Sequence, residues 1–416
     1  MHTSIITKRG YICATLLLAM PAISAAQSGA WSNIVEYTPP TPNAQADGIT
    51  AGPDGNLWFT EFTGNNVGRI TTAGVIAEYP LPRPNSGPFL ITAGPDGALW
   101  FAEQNANQIG RITTAGSLTQ YPVPTPASQP VGIAAGPDGA MWFTERSGNK
   151  IGRITTAGSV TEYPIPTPAS GPYGIVAGPD GALWFSEFND NKIGRITTAG
   201  VITQFATAPI SSPQGITAGP DGALWFIGAY DNMVGRITTA GAITAYLVPN
   251  SNSGLVDITA GPDGALWFTE YAGGDIGRIT TTGVITQFPV PTDGNPAWIT
   301  PGPDGALWFT QQGGNKVSRA PACGLGFSAS FAGSTLTMNF NLGTSTPATF
   351  DVVLINATGP FAAPFSDAIP AIVPPTTFTM NWSPFPNLGT ITVRPELGTG
   401  PGQGLCAEWT TVNTAQ

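Results

Sequence analysis

Residues 215–226 read Gly-Ile-Thr-Ala-Gly-Pro-Asp-Gly-Ala-Leu-Trp-Phe, and this phrase or a close variant occurs seven times along the chain. The repeated tryptophans are Trp58, Trp100, Trp142, Trp184, Trp225, Trp267 and Trp308. They stand 41 or 42 residues apart, which is enough chain for four short strands joined by tight turns. The period therefore predicts an all-β fold, a seven-bladed β-propeller.

A single repeat contains four strand-like stretches separated by turn residues. In the first repeat these stretches are residues 48–51, 57–61, 67–71 and 75–79, and Pro53-Asp54-Gly55 is the first turn. The seventh repeat lacks the fourth stretch, because Arg319 is followed directly by Ala320-Pro321. Residues 34–37 match residues 76–79, so we predict that the N-terminal strand completes the last blade and closes the ring.

The ends of the chain differ from the repeats. Lys8 and Arg9, an apolar run and small residues near Ala26 indicate a signal peptide over residues 1–26. We predict a propeller over residues 31–320 and a small C-terminal β-sandwich over residues 321–416. Cys323 and Cys406 lie at opposite ends of that last segment, and in an oxidising compartment they are expected to form a disulfide.

Charge narrows the range of partners. The chain has 416 residues and a formal net charge of −10, and removal of residues 1–26 discards His2, its one histidine, together with Lys8 and Arg9. An acidic surface disfavours nucleic acid and anionic membranes, and no segment after the signal is a membrane-spanning candidate. We expect a secreted or periplasmic monomer whose partner is a small molecule, a glycan or another protein.

Most residues that recur in every repeat are interpreted as scaffold. One aspartate follows each turn proline, one arginine ends each third strand, and each Trp-Phe pair supplies core. A single active site would break the sevenfold symmetry, and these positions never do.

One repeated position does break it, two residues beyond each phenylalanine. The glutamates at this position are Glu61, Glu103, Glu145, Glu187 and Glu270. Gly228 and Gln311 replace them in the fifth and seventh repeats. If these carboxylates face the axis, they fringe one mouth of the ring and could recruit Mg²⁺ or Ca²⁺ there. The alternative is that each glutamate pairs within its own blade, for example with the repeated arginine.

The residues that enter the first strands vary from blade to blade, as expected of ligand-binding positions. They are Asp47, Phe89, Val131, Tyr173, Gln214, Val256 and Ala297, with Trp298 directly after the last. We predict that Phe89, Tyr173 and Trp298 form an aromatic wall at the mouth beside Gln214. Plain loop packing is the alternative.

The phrases at 215–226, 149–155 and 161–170 resemble the streptogramin B lyases, also called virginiamycin B lyases, over about residues 31–320. The resemblance implies the same seven-bladed fold with an N-terminal closing strand. It also implies a magnesium-assisted elimination at the ester bond of a cyclic depsipeptide, with histidine as the base. The family's histidines match Val256 and Ala297, and its metal-binding glutamates match Asn295 and either Gln311 or Gln312.

All of these matched positions are neutral, and no histidine follows His2. Because a base that works near neutral pH needs a pKa near 7, we expect no lyase activity by the family mechanism. We therefore predict an exported binding or interaction module with its ligand at the mouth and no certain cofactor. The alternatives are a Mg-dependent carbon–oxygen lyase that uses carboxylates, and a structural module in which the ring is a spacer.

Overall fold

The computed structural model describes residues 34–292 and 294–320 in full, and the backbone of seven strands between residues 325 and 413. The predicted signal peptide, Cys323 and Cys406 lie outside the described residues. The described part consists of strands and turns, and it contains no helix that is long and apolar enough to cross a membrane.

Residues 34–320 form seven four-stranded antiparallel sheets, one for each repeat. The first strands are β2 (Ala46–Ala51), β6 (Pro88–Ala93), β10 (Pro130–Ala135), β14 (Pro172–Ala177), β18 (Pro213–Ala218), β22 (Leu255–Ala260) and β26 (Pro296–Pro301). Each first strand contacts the first strands of both neighbouring sheets, including β2 with β26. The first strands therefore surround the axis of a closed seven-bladed β-propeller, as predicted.

The other three strands follow outward in chain order. The second strands are β3 (Leu57–Glu61), β7 (Ala98–Glu103), β11 (Met141–Glu145), β15 (Leu183–Glu187), β19 (Leu224–Gly228), β23 (Leu266–Glu270) and β27 (Leu307–Gln311). The third strands are β4 (Asn66–Ile70), β8 (Gln108–Thr113), β12 (Lys150–Ile154), β16 (Lys192–Ile196), β20 (Met233–Ile237), β24 (Asp275–Ile279) and β28 (Lys316–Ala320). The fourth strands are β5 (Ile76–Pro80), β9 (Leu118–Pro122), β13 (Val160–Pro164), β17 (Ile202–Ala206), β21 (Ile243–Leu247), β25 (Ile285–Pro289) and, for the last blade, β1 (Val35–Tyr37).

The closing strand is confirmed. β1 pairs antiparallel with β28, with Val35 opposite Arg319 and Tyr37 opposite Val317. The Tyr37 ring stacks on Trp308 at 5.8 Å, as the equivalent ring of a fourth strand stacks on the tryptophan of its own blade elsewhere in the ring. The outer edge of the last blade is thereby paired in the same way as the others.

The repeated aspartate, tryptophan and arginine form one unit in each blade. In the first blade, Trp58 Nε1 donates to Asp54 Oδ1 at 3.0 Å and Arg69 Nε donates to Asp54 Oδ2 at 2.9 Å. Burial raises the pKa of Asp54, but the hydrogen bonds from Trp58 and Asn56 and the charge of Arg69 outweigh it and hold the pKa below its usual value. Because the seven tryptophans are fully buried, this unit fixes the largest side chains of the core.

Beyond residue 320, the described strands form two antiparallel sheets. Their strands are β29 (Leu325–Ala332), β30 (Thr335–Leu342), β31 (Ala348–Asn356), β32 (Phe365–Ile372), β33 (Thr376–Asn381), β34 (Thr390–Leu397) and β35 (Thr410–Asn413). One sheet has the order β29-β30-β33 and the other has the order β32-β31-β34-β35. The β-sandwich stays a prediction.

Candidate functional site

A cavity of about 370 Å³ opens at one end of the ring, where the first strands begin and the second strands end. Its walls are formed by Gln45, Asp47, Phe62, Phe89, Gln104, Arg146, Tyr173, Gln214, Val256, Tyr271, Trp298 and Gln312. All seven blades contribute at least one of these residues. The cavity is therefore formed by the closed ring and not by one repeat. Its size is in the range of small-molecule sites.

A β-bulge at the start of every first strand positions one half of this wall. In the first blade, Ala46 pairs with Glu61 and Ile49 pairs with Phe59, so Asp47 and Gly48 together oppose Thr60. Such a bulge changes the direction in which a side chain points. The same shift occurs at Pro130/Ile133, Pro172/Ile175 and the equivalent places in the other blades.

Hydroxyl groups of the second strands hold several of these bulges in place. Thr144 Oγ1 accepts a hydrogen bond from Gly132 N at 2.8 Å and donates to Tyr173 O of the next blade at 2.7 Å. Ser186 Oγ links Gly174 N to Gln214 O in the same way. The entry residues Phe89, Tyr173, Gln214 and Ala297 are therefore each tied to the blade before them.

Three aromatic rings from different blades meet in the cavity. Tyr173 and Trp298 stack with ring centres 6.3 Å apart, and Phe89 meets both edge to face, at 6.1 Å and 5.6 Å. Trp298 and Tyr173 are 4% and 8% exposed, so the rings form a packed aromatic floor. The three rings meet as the sequence suggested, but they pack against one another rather than forming a separate wall. Their role in ligand binding stays a prediction.

Asp47 is the most unusual polar group of the cavity. Its side chain is completely buried, and neither carboxylate oxygen has a hydrogen-bond partner among the described residues. Burial raises its pKa to about 7, although Trp298 and Gln312 lie close enough to lower the pKa in part. The Trp298 indole nitrogen is itself a buried donor without a partner. A buried carboxylate without a donor costs free energy, and this cost is typical of functional sites.

Asp257 is a second carboxyl near the aromatic floor. Its Oδ2 accepts a hydrogen bond from Ile299 N at 3.1 Å, and a Cβ on Gly215 would stand 2.7 Å from its Oδ1. Burial raises its pKa to about 7, while the backbone hydrogen bonds of Ile299 and Ile258 lower it in part. Asp257 belongs to the sixth blade and lies against Gly215 of the fifth blade and Ile299 of the seventh. Unlike Asp47, it accepts a backbone hydrogen bond.

Arg146 supplies a positive charge on another side of the aromatic floor. Its guanidinium carbon lies 5.4 Å from the centre of the Tyr173 ring and 5.7 Å from that of Phe188. Burial raises the pKa of Tyr173, the charges of Asp47 and Asp257 raise it further, and Gln214 and Arg146 lower it. Tyr173 thus stands between an arginine and two carboxyls.

The structure brings together Phe89, Tyr173, Gln214 and Trp298, all of which were predicted from their variable entry position. It places Glu61, Glu103, Glu145, Glu187 and Glu270 elsewhere: they are fully buried and do not line the cavity. Their side chains face their own blades, where Gln120 Nε2 donates to Glu103 at 2.8 Å and Gln287 Nε2 donates to Glu270 at 2.8 Å. Of the two orientations considered from the sequence, the structure has the one in which these glutamates face their own blades, and it does not place them at the mouth.

The reason for this correction is the alternation of side chains along a strand. The residue after each glutamate position points toward the mouth, and Phe62, Gln104, Arg146 and Tyr271 line the cavity. The glutamate itself points to the third and fourth strands. Glu61, Glu103, Glu187 and Glu270 each accept a hydrogen bond from a side-chain amide, whereas the oxygens of Glu145 have no hydrogen-bond partner among the described residues. The repeated arginine binds the turn aspartate instead.

Sequence reasoning missed Asp257, Arg146 and the other residues that follow the glutamate position. The residues that directly follow the glutamate position vary from blade to blade, as the entry residues do. The same signal could therefore have identified them. Asp47 was predicted as an entry residue but not singled out, because its complete burial without a cationic partner is a tertiary property.

The positions that match the family's site have different surroundings. Val256 and Gln312 line the cavity, whereas Ala297 is fully buried. Gln311 is fully buried and donates to Glu36 at 3.0 Å and to Ser318 at 2.6 Å. Asn295 donates to the Tyr271 carbonyl at 2.9 Å.

The fold and the cavity define a seven-bladed β-propeller with a ligand-sized site on its axis. The family model of the virginiamycin B lyase family matches residues 26–169 and 136–325. The chain belongs to this family.

Solved structures agree with this assignment. A streptogramin B lyase is 38% identical in sequence and superposes with a TM-score of 0.68. The match covers 70% of this chain and 99% of that chain. The virginiamycin B lyase of Staphylococcus aureus is 41% identical, with a TM-score of 0.67 and the same coverage. A catalytically inactive histidine-to-alanine variant of that enzyme with quinupristin gives the same values. No curated protein sequence matches the chain.

Proposed function

We propose that the propeller is an exported binding module whose axial cavity holds a small organic ligand. The observation that supports this proposal most directly is the cavity itself, which has a volume of about 370 Å³, an aromatic floor and polar side chains around that floor. In small-molecule sites, apolar and aromatic surface supplies affinity, and polar groups set the orientation of the ligand. Family membership makes a compound with aromatic or apolar rings, such as quinupristin, the first ligand to test.

The binding module is tested by titrating the purified protein with quinupristin in a calorimeter. Val256→Trp should fill the cavity and abolish the heat of binding, because Val256 lies in its wall. Val75→Trp is the matched control, since Val75 is 67% exposed and does not line the cavity. Equal binding by both variants would place the ligand elsewhere. Absence of heat with the parent protein would remove quinupristin as a ligand.

A carbon–oxygen lyase is the second candidate function, favoured by family membership and by one feature of the site. Asp47 has a pKa of about 7, which is the range that a base needs near neutral pH. In such a reaction the Asp47 carboxylate would accept a proton from the carbon next to the one that carries the ester oxygen. The electrons of that C–H bond would form a C=C double bond, and the electrons of the broken C–O bond would leave with the carboxylate product. The test is mass spectrometry of quinupristin incubated with the protein and Mg²⁺. Turnover that Asp47→Asn abolishes would establish the lyase, and an intact ester would leave the binding module as the function.

A divalent cation at the mouth is a separate expectation. Mg²⁺ and Ca²⁺ need several oxygen ligands, but the described residues contain no group of three or more acidic, histidine or cysteine side chains that could hold a metal ion. The residues present therefore fit such an ion poorly. Calorimetric titration with MgCl₂ and CaCl₂ tests this point, and heat that Glu103→Gln or Glu145→Gln removes would restore the original expectation.

A further inference from the structure

The cavity contains a carboxylate that nothing in the described protein neutralises. Asp47 is fully buried in the cavity wall, no described cation pairs with it, and neither of its oxygens accepts a well-formed hydrogen bond, although the donors of Trp298 and Gln312 lie near enough to lower its pKa in part. Buried carboxylates are ordinarily paired or hydrogen-bonded, because desolvating an isolated charge is costly. The missing partner is therefore expected to come from what enters the cavity.

The surroundings of Asp47 distinguish between the partners that could complete it. A metal ion would need further oxygen ligands, and the described residues supply no such cluster. The aromatic rings of Phe89, Tyr173 and Trp298 lie in the same cavity instead. Aromatic faces beside a carboxylate favour an organic cation, since the ring quadrupole and the carboxylate both attract an ammonium group.

The other charged and titratable groups near Asp47 are compatible with this occupant. Asp257 adds a second carboxyl close to Tyr173, and the Tyr173 hydroxyl is itself near both carboxyls. Trp298 and Gln312 contribute neutral donors beside Asp47. Arg146 is the single cation in the wall, and its guanidinium is engaged with the faces of Tyr173 and Phe188.

We propose that the ligand of this cavity carries an ammonium group attached to an aromatic or apolar body, and that the Asp47 carboxylate is its counter-ion. This inference rests on the proposed binding function and specifies the class of ligand. The apolar body packs on the aromatic floor. The overall negative charge of the protein, −10 by sequence, favours the approach of such a cation.

The test compares two probes of equal shape, phenethylammonium chloride and 2-phenylethanol, by calorimetry on the full protein. At pH 8, where Asp47 is ionised, the ammonium probe should bind at least 10-fold more tightly than the alcohol. At pH 5.5 this preference should shrink because Asp47 is then protonated. Asp47→Asn should remove the preference at pH 8 and leave the affinity for 2-phenylethanol within about 2-fold.

Asp257→Asn is the matched control, because Asp257 already accepts the Ile299 N–H and should change the preference much less. Equal affinity for the two probes at pH 8, or a preference that survives Asp47→Asn, would overturn the inference and leave the binding function standing. Failure of both probes to bind would count against the cavity as a small-molecule site and against the inference with it. Thermal melts of both variants verify that they are folded.

Discussion

At the scale of single residues, the chain contains carboxyl groups that stabilise the fold and, in the wall of the cavity, a carboxyl group that does not. Asp54 has a tryptophan and an arginine as partners, and its pKa is held low. Asp47 has no hydrogen-bond partner in the described part of the chain, and burial raises its pKa to about 7. Removing the charge of a carboxyl that stabilises the fold should make the protein less stable. Removing the charge of a carboxyl that is kept for a ligand should make the protein more stable.

Asp47→Asn should therefore raise the free energy of unfolding at pH 8, by about 1–3 kcal/mol, because the folded protein no longer holds an unpaired buried charge. The effect should vanish below pH 4, where the carboxyl is protonated in both states. Urea unfolding at the two pH values measures it. Asp54→Asn is the control and should lose stability at pH 8, and a loss of similar size in Asp47→Asn would give Asp47 a structural role.

At the scale of the element, each turn between second and third strands is joined to the linker that leads to the next blade. Asn149 adopts a φ of 54°, a left-handed conformation. Its Nδ2 donates to Ile165 O at 3.2 Å and Thr167 O at 2.9 Å, and its Oδ1 accepts from Ser170 N at 2.7 Å and Ser170 Oγ at 2.9 Å. One side chain thus fixes both a turn and a linker.

Replacement of Asn149 separates these two contributions. Asn149→Gly keeps the left-handed conformation but loses four hydrogen bonds, and it should cost about 2–4 kcal/mol. Asn149→Ala should cost about 1 kcal/mol more because alanine is strained at positive φ. Urea unfolding of the two variants measures both numbers, and a glycine variant as stable as the parent would show that the hydrogen bonds are replaced by water.

In four blades the residue that ends the second strand is hydrogen-bonded to a residue of the fourth strand. This pair explains why glutamine replaces glutamate in the seventh blade. In the fourth blade Glu187 accepts from Gln204 at 2.6 Å, and in the seventh blade the two residue types are exchanged as Gln311 and Glu36. Glu36 is also bound by Lys316 and Thr292. Gln311 and Glu36 therefore form the same hydrogen-bonded pair with the two residue types exchanged. The glutamine at this position is explained by packing within the blade.

The exchange can be made in the fourth blade, since Lys192 and Thr167 already lie there and Thr167 donates to Gln204 at 3.1 Å. Glu187→Gln with Gln204→Glu should be more stable than the parent at pH 8, because it replaces a carboxyl with a pKa of about 7 by one that has a lysine partner. Gln204→Glu alone should be less stable there, with two facing carboxyls. Unfolding by urea at pH 5 and pH 8 tests this, and a double variant that is weaker than the parent at both pH values would refute the exchange.

At the scale of the whole molecule, the raised and lowered carboxyl groups together set the pH of maximum stability. Burial raises the pKa of Glu61 to about 8 and those of Glu145 and Glu187 to about 7. These groups bind protons more tightly in the folded protein than in the unfolded chain. Their contribution to the free energy of unfolding is therefore complete below about pH 4.5 and is lost as the pH rises to about 8. The turn aspartates of the first five blades, Asp54, Asp96, Asp138, Asp180 and Asp221, have lowered pKa values, so their contribution is lost as the pH falls below about 3.8.

The propeller should therefore be most stable near pH 4–5 and less stable at pH 8. Denaturant unfolding between pH 3 and pH 8.5 measures this, followed by tryptophan fluorescence because the seven repeated tryptophans are buried. Glu145→Gln should flatten the alkaline side of the profile. A stability that rises steadily up to pH 8 would contradict the pKa directions.

The repeat was sufficient to predict the architecture, because a period of 41 or 42 residues recurs in both the turn residues and the core residues of every blade. It also determined the closing strand, since residues 34–37 match a stretch that the last repeat lacks, and it identified Phe89, Tyr173, Gln214 and Trp298 from their variability. The direction in which the glutamates face, and the burial of Asp47 without a cationic partner, followed from the folded ring and not from the repeats. Those properties depend on the bulge in each first strand and on groups from distant blades that meet at the axis, and such contacts leave no local pattern in the chain.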